Sequence, residues 1–250
     1  MRHLDLFSGI GGFTLAAQSL GIQTVQFVEI HDYCCQVLTK NFPNIPIHHD
    51  IHTFHAEPNQ FDLITGGSPC QDLSLAGSRT GITGERSSLW FEMLRVIDEA
   101  KPKYILWENV KGAIYTKGLA EVLCGLSELG YGFDVEVLSA AEVGAPHLRE
   151  RVFVVAYAHE LFGNPPRWSN QVGSEVKTVT HADSFSGGRF SQSSKGLPPQ
   201  WSSSKSPVCG VAHGLSHRLD RLAVLGNSVI PAVAAIAPKR VLFLESWRTK

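Results

Sequence analysis

Short apolar runs separated by amphipathic stretches dominate the first 157 residues of the 250-residue chain. The runs His3–Phe7, Thr24–Val28, Phe61–Ile64, Tyr104–Trp107 and Val152–Tyr157 are too short for helices and carry few polar residues, so they read as buried strands. Between them, Gly12–Leu20, His31–Asn41, Ser87–Ala100 and Leu119–Leu129 have helical spacing. Gly21 and Gly130 mark helix stops, and Pro43 and Pro102 stand just beyond helix ends. Strand and helix signals in alternation predict an α/β fold, a doubly wound and mostly parallel sheet with helices on both faces. Such sheets bind ligands at the carboxyl ends of their strands, so the loops after the strands are where chemistry is expected.

The pattern breaks between Asn164 and Pro207, where 20 of 44 residues are Ser, Pro or Gly and neither period persists. It returns at Leu222–Phe243, which must pack back onto the main unit. The expected organisation is therefore a main domain over 1–157, a small irregular insertion over 158–212 and a returning segment over 213–250. Hydrophobic residues make up 43% of the chain and charged residues 18%, which excludes wholesale disorder. The long uncharged apolar stretch Leu222–Pro238 is interrupted by Gly226, Asn227, Ser228 and Pro231, so no membrane span is predicted there. No basic run followed by an apolar core opens the chain, so no secretory signal is expected. The five cysteines are odd in number, scattered and without metal-ligand spacing. They argue for a reducing, cytoplasmic compartment and for no metal site, and they leave room for one working thiol.

Net charge is −1, but residues 1–157 hold 11 Lys and Arg against 18 Asp and Glu, and residues 158–250 hold 11 against 5. A basic C-terminal part with Arg167, Trp168, Lys177, Arg189, Lys195, Trp201 and Lys205 in its irregular stretch suits a polyanionic partner.

The first strand runs into Asp5-Leu6-Phe7-Ser8-Gly9-Ile10-Gly11-Gly12-Phe13, where glycines allow a tight turn and a close approach of backbone to ligand. Thr14 stands where a dinucleotide fingerprint needs its third glycine, which disfavours a nicotinamide cofactor. Glu29, 20 residues after Gly9 at the end of the second strand, suits a pair of ribose hydroxyls. Asp50, after a short third strand, suits an adenine amino group. Cys70 lies on the turn Gly66-Gly67-Ser68-Pro69-Cys70, poorly placed for core packing and well placed for a nucleophile. Cys34, Cys35, Cys124 and Cys209 read as inert packing. Glu108 follows the strand Tyr104–Trp107, where burial beside Trp107 would raise its pKa and make it a proton donor. Arg149 and Arg151 alternate onto one side before the last strand, suited to a carbonyl oxygen or a phosphate.

The ordered set DLFSGIGGF (5–13), GGSPCQDLS (66–74), ENV (108–110), RERVFVVA (149–156) and LGNSVIPAVA (225–234) resembles the cytosine-C5 DNA methyltransferases, compact prokaryotic or phage members above all. The resemblance implies a Rossmann-like methyltransferase fold with S-adenosyl-L-methionine as cofactor. Phe7, Gly9, Ile10, Gly11, Glu29, Asp50, Ile51, Pro69, Leu89 and Asn227 would bind it. It further implies that Cys70 attacks C6 of a flipped-out cytosine, that Glu108 engages N3, and that Arg151 with Arg149 holds O2 or nearby backbone. Gln71–Ser88 would be the loop that closes over the base, and 158–212 a short target-recognition region. The partner implied is double-stranded DNA, approached by a monomer, with a restriction-modification context. Three positions depart from the pattern: Ile30 where many members have Trp, His147 where Gln is common, and the short recognition region. The tRNA-methylating branch shares the Pro-Cys and Glu-Asn-Val residues, so a tRNA substrate stays open on motifs alone. A non-catalytic DNA-binding relative would be expected to have lost at least one of Cys70, Glu108 and Arg151.

Overall fold

The computed structural model describes residues 1–69, 88–145, 147–162, 165 and 227–248. Strands β1 (Arg2–Leu6), β2 (Gln23–Val28), β3 (Ile47–His48), β4 (Leu63–Gly66), β5 (Tyr104–Val110), β6 (Tyr131–Ser139) and β7 (Glu150–Ala158) form one sheet in the order β3-β2-β1-β4-β5-β7-β6. All neighbouring pairs from β3 to β5 are parallel, while β7 runs antiparallel to both β5 and β6. The sheet is thus mostly parallel, as its apolar runs predicted, with one reversed strand near an edge. Its winding reverses between β1 and β4, which opens a crevice at their carboxyl ends.

Helices α1 (Gly12–Gln18), α2 (Asp32–Asn41), α3 (Ser88–Ala100) and α4 (Lys117–Glu128) link the strands. After β7 come the short α5 (His159–Phe162) and, beyond the insertion, α6 (Pro231–Ala234) and α7 (Ile236–Arg248). Alternation along β5 shows why both faces need cover. Ile105 and Trp107 join Trp90, Met93 and Ile97 of α3 and Val122 and Leu126 of α4 in one core. Tyr104 and Leu106 join Ala16 and Ala17 of α1, Val233 of α6 and Val241 and Leu244 of α7 in the other. Residues of α6 and α7 therefore pack on this face of the sheet.

Two elements differ from expectation. The sequence reading leaves out β6, because Gly132, Asp134 and Glu136 interrupt its apolar run; yet it alternates, with Val135 packed toward α3 and α4 and Leu138 toward α6 and α7. On that second face Arg240 of α7 pairs with Asp134 at 2.8 Å, nearly excluded from solvent. In addition, β5 continues through Glu108 and Asn109 to Val110, opposite Arg151 on β7, so Glu108 lies within the sheet and not past its end. Among the described residues, no helix is long and apolar enough to cross a membrane.

Candidate functional site

The loop after β1 is held in an unusual backbone path. Phe7, Gly9 and Gly11 all have positive φ (52°, 53° and 86°), which is costly for Phe7 and ordinary for the glycines. The path is pinned by Ser8, whose hydroxyl donates to the Asp5 carbonyl and whose N–H reaches the Val28 carbonyl. Among the described residues, a Cβ on Gly9 would meet nothing within 4 Å. One on Gly12 would strike the Val229 carbonyl oxygen at 2.8 Å, which makes this glycine necessary for seating α1 against the returning segment.

Glu29 is buried, and its carboxylate joins two loops: Oε2 accepts from the Gly9 N–H at 2.7 Å and Oε1 from the His31 N–H at 2.8 Å. Each oxygen keeps a second lone pair, so a hydroxyl donor can still be accommodated. Asp50 caps a 3₁₀ turn over Ile51–Thr53 by accepting from the His52 N–H, and Ile51 is buried beneath it. Leu89, half-buried at the start of α3, packs on the same core as Ile51. Pro69 and Asn227 are both exposed. Ile10, Gly12 and Leu15 form one wall of a cleft of about 560 Å³ whose other walls are His147, Arg149 and Ser228–Pro231. The Arg149 guanidinium, one of those lining groups, donates to the Ser228 carbonyl at 2.8 Å.

At the end of β5, Glu108 is buried and its Oε1 lies 3.0 Å from Nε of Arg151. Burial pushes its pKa up to about 7 against the opposing pull of Arg151 and Arg149, so the acid form is well populated at neutral pH. Both arginines thus bear on the same carboxyl. The turn before Cys70 rests on β5: Ser68 accepts from Trp107 Nε1 at 3.3 Å through its hydroxyl and from Asn109 Nδ2 at 3.4 Å through its carbonyl. A Cβ on Gly67 would sit 3.0 Å from Glu108 Oε2, so a side chain there would crowd the carboxyl. Cys70, and Gln71–Arg86 with Ser87 of the expected closing loop, lie outside the described residues, as do most of 158–226. Cys34 and Cys35 are buried as expected, whereas Cys124 is exposed on α4, where it donates to Glu128.

Beneath both loops runs a buried polar network that the sequence reading did not single out. Asp5 accepts from Thr14 at 2.8 Å and from Thr65 at 2.9 Å, and His3 bridges Thr24 and Thr65 at 2.8 Å on each side. It ties β1, α1, β2 and β4 together under the crevice. Burial raises the Asp5 pKa to about 7 and lowers that of His3 to about 3. The positions Gly12, Gly67, Ser68, Trp107, Asn109 and Ser228 were likewise missed as supports, although each lies inside or beside a motif already singled out.

A mostly parallel sheet with one reversed strand, glycine turns and acidic residues at the ends of β1 to β3, and a buried glutamate beside two arginines define a methyltransferase of the Rossmann-like class. The C-5 cytosine-specific DNA methylase model matches residues 1–187, and the chain belongs to that family. It is 38% identical over 175 residues to the Type II methyltransferase M.AquIA of Picosynechococcus sp., covering 62% of this chain and 71% of that one. It is 34% identical over 164 residues to the Type II methyltransferase M.HhaI of Haemophilus parahaemolyticus, covering 64% of this chain but only 50% of that one. The solved structure of S. pombe Dnmt2 methyltransferase superposes with a TM-score of 0.52 at 27% identity, over 63% of this chain and 49% of that one. The chain therefore spans about half the length of most of these relatives.

Proposed function

We propose that the protein methylates C5 of cytosine in double-stranded DNA within a short recognition sequence, with S-adenosyl-L-methionine as methyl donor. The observation that carries the reading is Glu108: a buried carboxyl with a pKa near 7, braced by Arg151, one residue-width from the glycine turn that leads to Cys70. A carboxyl in that state can hand a proton to a ring nitrogen at neutral pH.

The described residues fit the cofactor. Among the described residues nothing crowds Gly9, Glu29 just beyond β2 offers lone pairs for hydroxyls, and Asp50 keeps one carboxylate oxygen beyond its capping bond. Phe7, Gly9, Ile10, Gly11, Glu29, Asp50, Ile51, Pro69, Leu89 and Asn227 would hold it, and it would supply an electrophilic methyl group. The chain's own residues would do the rest. The Cys70 thiolate forms a bond to C6 of a flipped-out cytosine while Glu108 protonates N3, and the electron pair moves to C5. After C5 has taken the methyl group, N3 returns its proton to Glu108, a base removes the C5 proton, the C6–S bond breaks and the thiolate is restored. Arg151 and Arg149 would hold the pyrimidine O2 side or adjacent backbone. In this reading 1–157 carry catalysis, 158–212 read the target, and 213–250 complete the cofactor cleft. A monomer in the cytoplasm suffices, since one flipped base needs no symmetric partner.

Base-resolution bisulfite sequencing of DNA from a methylation-free bacterial host expressing the protein tests the proposal. Protected cytosines in one recurring context are expected, and Cys70→Ala should abolish them. Absence of protection from folded protein that binds the cofactor would overturn the DNA reading and make tRNA the next substrate to assay.

A further inference from the structure

The turn that carries Asp50 and Ile51 has no strand of its own to stiffen it. It follows the two-residue β3 and is shaped by local bonds only, Thr53 N–H to the Asp50 carbonyl and Phe54 N–H to the Ile51 carbonyl. Its apolar side, Ile51 and Phe54, is buried in the core, and His52 lies 3.5 Å from Glu92 of α3, but its backbone carbonyls are held by one side chain of that helix. Arg95 donates from Nη2 to the Ile51 carbonyl at 2.7 Å and from Nη1 to the Phe54 carbonyl at 3.0 Å, thereby gripping both ends of the turn. The guanidinium is itself aimed by carboxylates on its own helix: Nε to Glu92 at 2.8 Å and Nη1 to Glu99 at 2.7 Å. Glu99 extends the grip, its Oε2 accepting from the Ala56 N–H at 3.1 Å and its Oε1 from His55 at 3.1 Å.

We propose that Arg95 is the positioning residue of the adenine side of the cofactor cleft: it docks the 50–56 turn on α3 so that Asp50 and Ile51 face Leu89 across one wall. The proposal rests on the cofactor reading above. Only a planar fork with donors on three nitrogens can serve two carbonyls and two carboxylates at once, and a lysine ammonium at this place can reach a subset of them. The reacting groups are anchored elsewhere, Glu108 on β5 and the turn before Cys70 on Trp107 and Asn109. Loss of Arg95 therefore leaves a turn that the cofactor must order as it binds, which weakens affinity without touching the chemical step.

The test is calorimetric binding of S-adenosylhomocysteine to the full chain, together with KM for the methyl donor, kcat at saturating donor, DNA affinity and thermal midpoint. Arg95→Met should raise both Kd and KM by about ten-fold or more, with kcat and DNA affinity within about two-fold of the unsubstituted protein. Arg95→Lys should fall between the two, and Glu99→Gln should shift Kd in the same direction by less. If Arg95→Met does not fold, Arg95→Lys is read alone, with a rise of about three-fold expected. A folded variant whose Kd is unchanged, or whose kcat falls as far as its KM rises, overturns the positioning role. If the unsubstituted protein binds no S-adenosylhomocysteine, the cofactor reading itself fails and this proposal falls with it.

Discussion

Glu108 is the residue whose chemistry depends most on its surroundings. The sequence reading placed it next to Trp107 and expected burial to raise its pKa. It did not anticipate that β5 continues through it, because Glu108-Asn109 looks like a strand end when read as polarity alone. What keeps it in the sheet is tertiary: Arg151, opposite Val110 on β7, supplies a charge partner that no local pattern announces. A proton-donating role makes a directional prediction. The acid form of Glu108 is depleted as pH rises through about 7, whereas a cysteine thiolate grows with pH, so kcat/KM should be bell-shaped with its alkaline limb set by Glu108. Glu108→Gln keeps a hydrogen-bond donor but has no proton to transfer. It should lower kcat by about 10²–10⁴-fold and lose the alkaline limb. A pH profile unchanged in the variant would assign that limb to another group.

At the scale of elements, the strongly periodic segments were legible and their junctions were not. β1, β2, α2 and α3 fall within a residue or two of their expected bounds, since buried strands and amphipathic helices declare themselves by period. β6 escaped because an edge strand half covered by helices carries polar residues on alternate positions. The site supports escaped for a related reason: they are close approaches between elements far apart in the chain. Gly12 is the sharpest case, a residue of α1 whose missing side chain admits the Val229 backbone. Gly12→Ala should force α1 and the returning segment apart, costing about 1–3 kcal/mol of stability, and weakening cofactor binding through displacement of the adjoining glycine turn Gly9–Gly11 that the proposed function assigns to the cofactor. Gly21 is the control. Its φ of 74° makes alanine costly there too, but its Cβ would meet nothing within 4 Å. Gly21→Ala should therefore lower the thermal midpoint and leave S-adenosylhomocysteine affinity unchanged. Equal affinity losses in both variants would mean that general destabilisation, not the α1 contact, controls the cleft.

Among the carboxyls that the molecule as a whole buries are Glu108, whose burial the sequence leads one to expect, and Asp5 and Glu136, whose burial is a property of the assembled sheet. Each has its pKa raised to about 7, chiefly by burial. Glu136 is the extreme: fully buried on β6 beside the Asp134–Arg240 pair, with both side-chain oxygens lacking a hydrogen-bond partner. In the unfolded chain such groups titrate near 4, so between about pH 4 and 7 the native state binds more protons than the unfolded state. Their contribution is therefore full at low pH and is lost as pH rises through the folded values. His3 acts in the opposite sense: with its pKa lowered to about 3, its penalty fades as pH rises to about 6.5 and is gone above that. The carboxyls held low by partners, Asp62, Glu99 and Glu245, have completed their gain by about pH 5. With Glu142, also raised by burial, four groups lose against one gaining, which leaves a net decline toward neutrality, so the thermal midpoint should be lower at pH 8 than at pH 5.5. Glu136→Leu isolates one share of it. Removing an unpartnered buried carboxylate should stabilise the protein at pH 8 by about 1–3 kcal/mol and flatten the slope between the two pH values. A midpoint that rises from pH 5.5 to pH 8, or a variant less stable than the parent at pH 8, would mean that Glu136 is ionised and solvated in the native state.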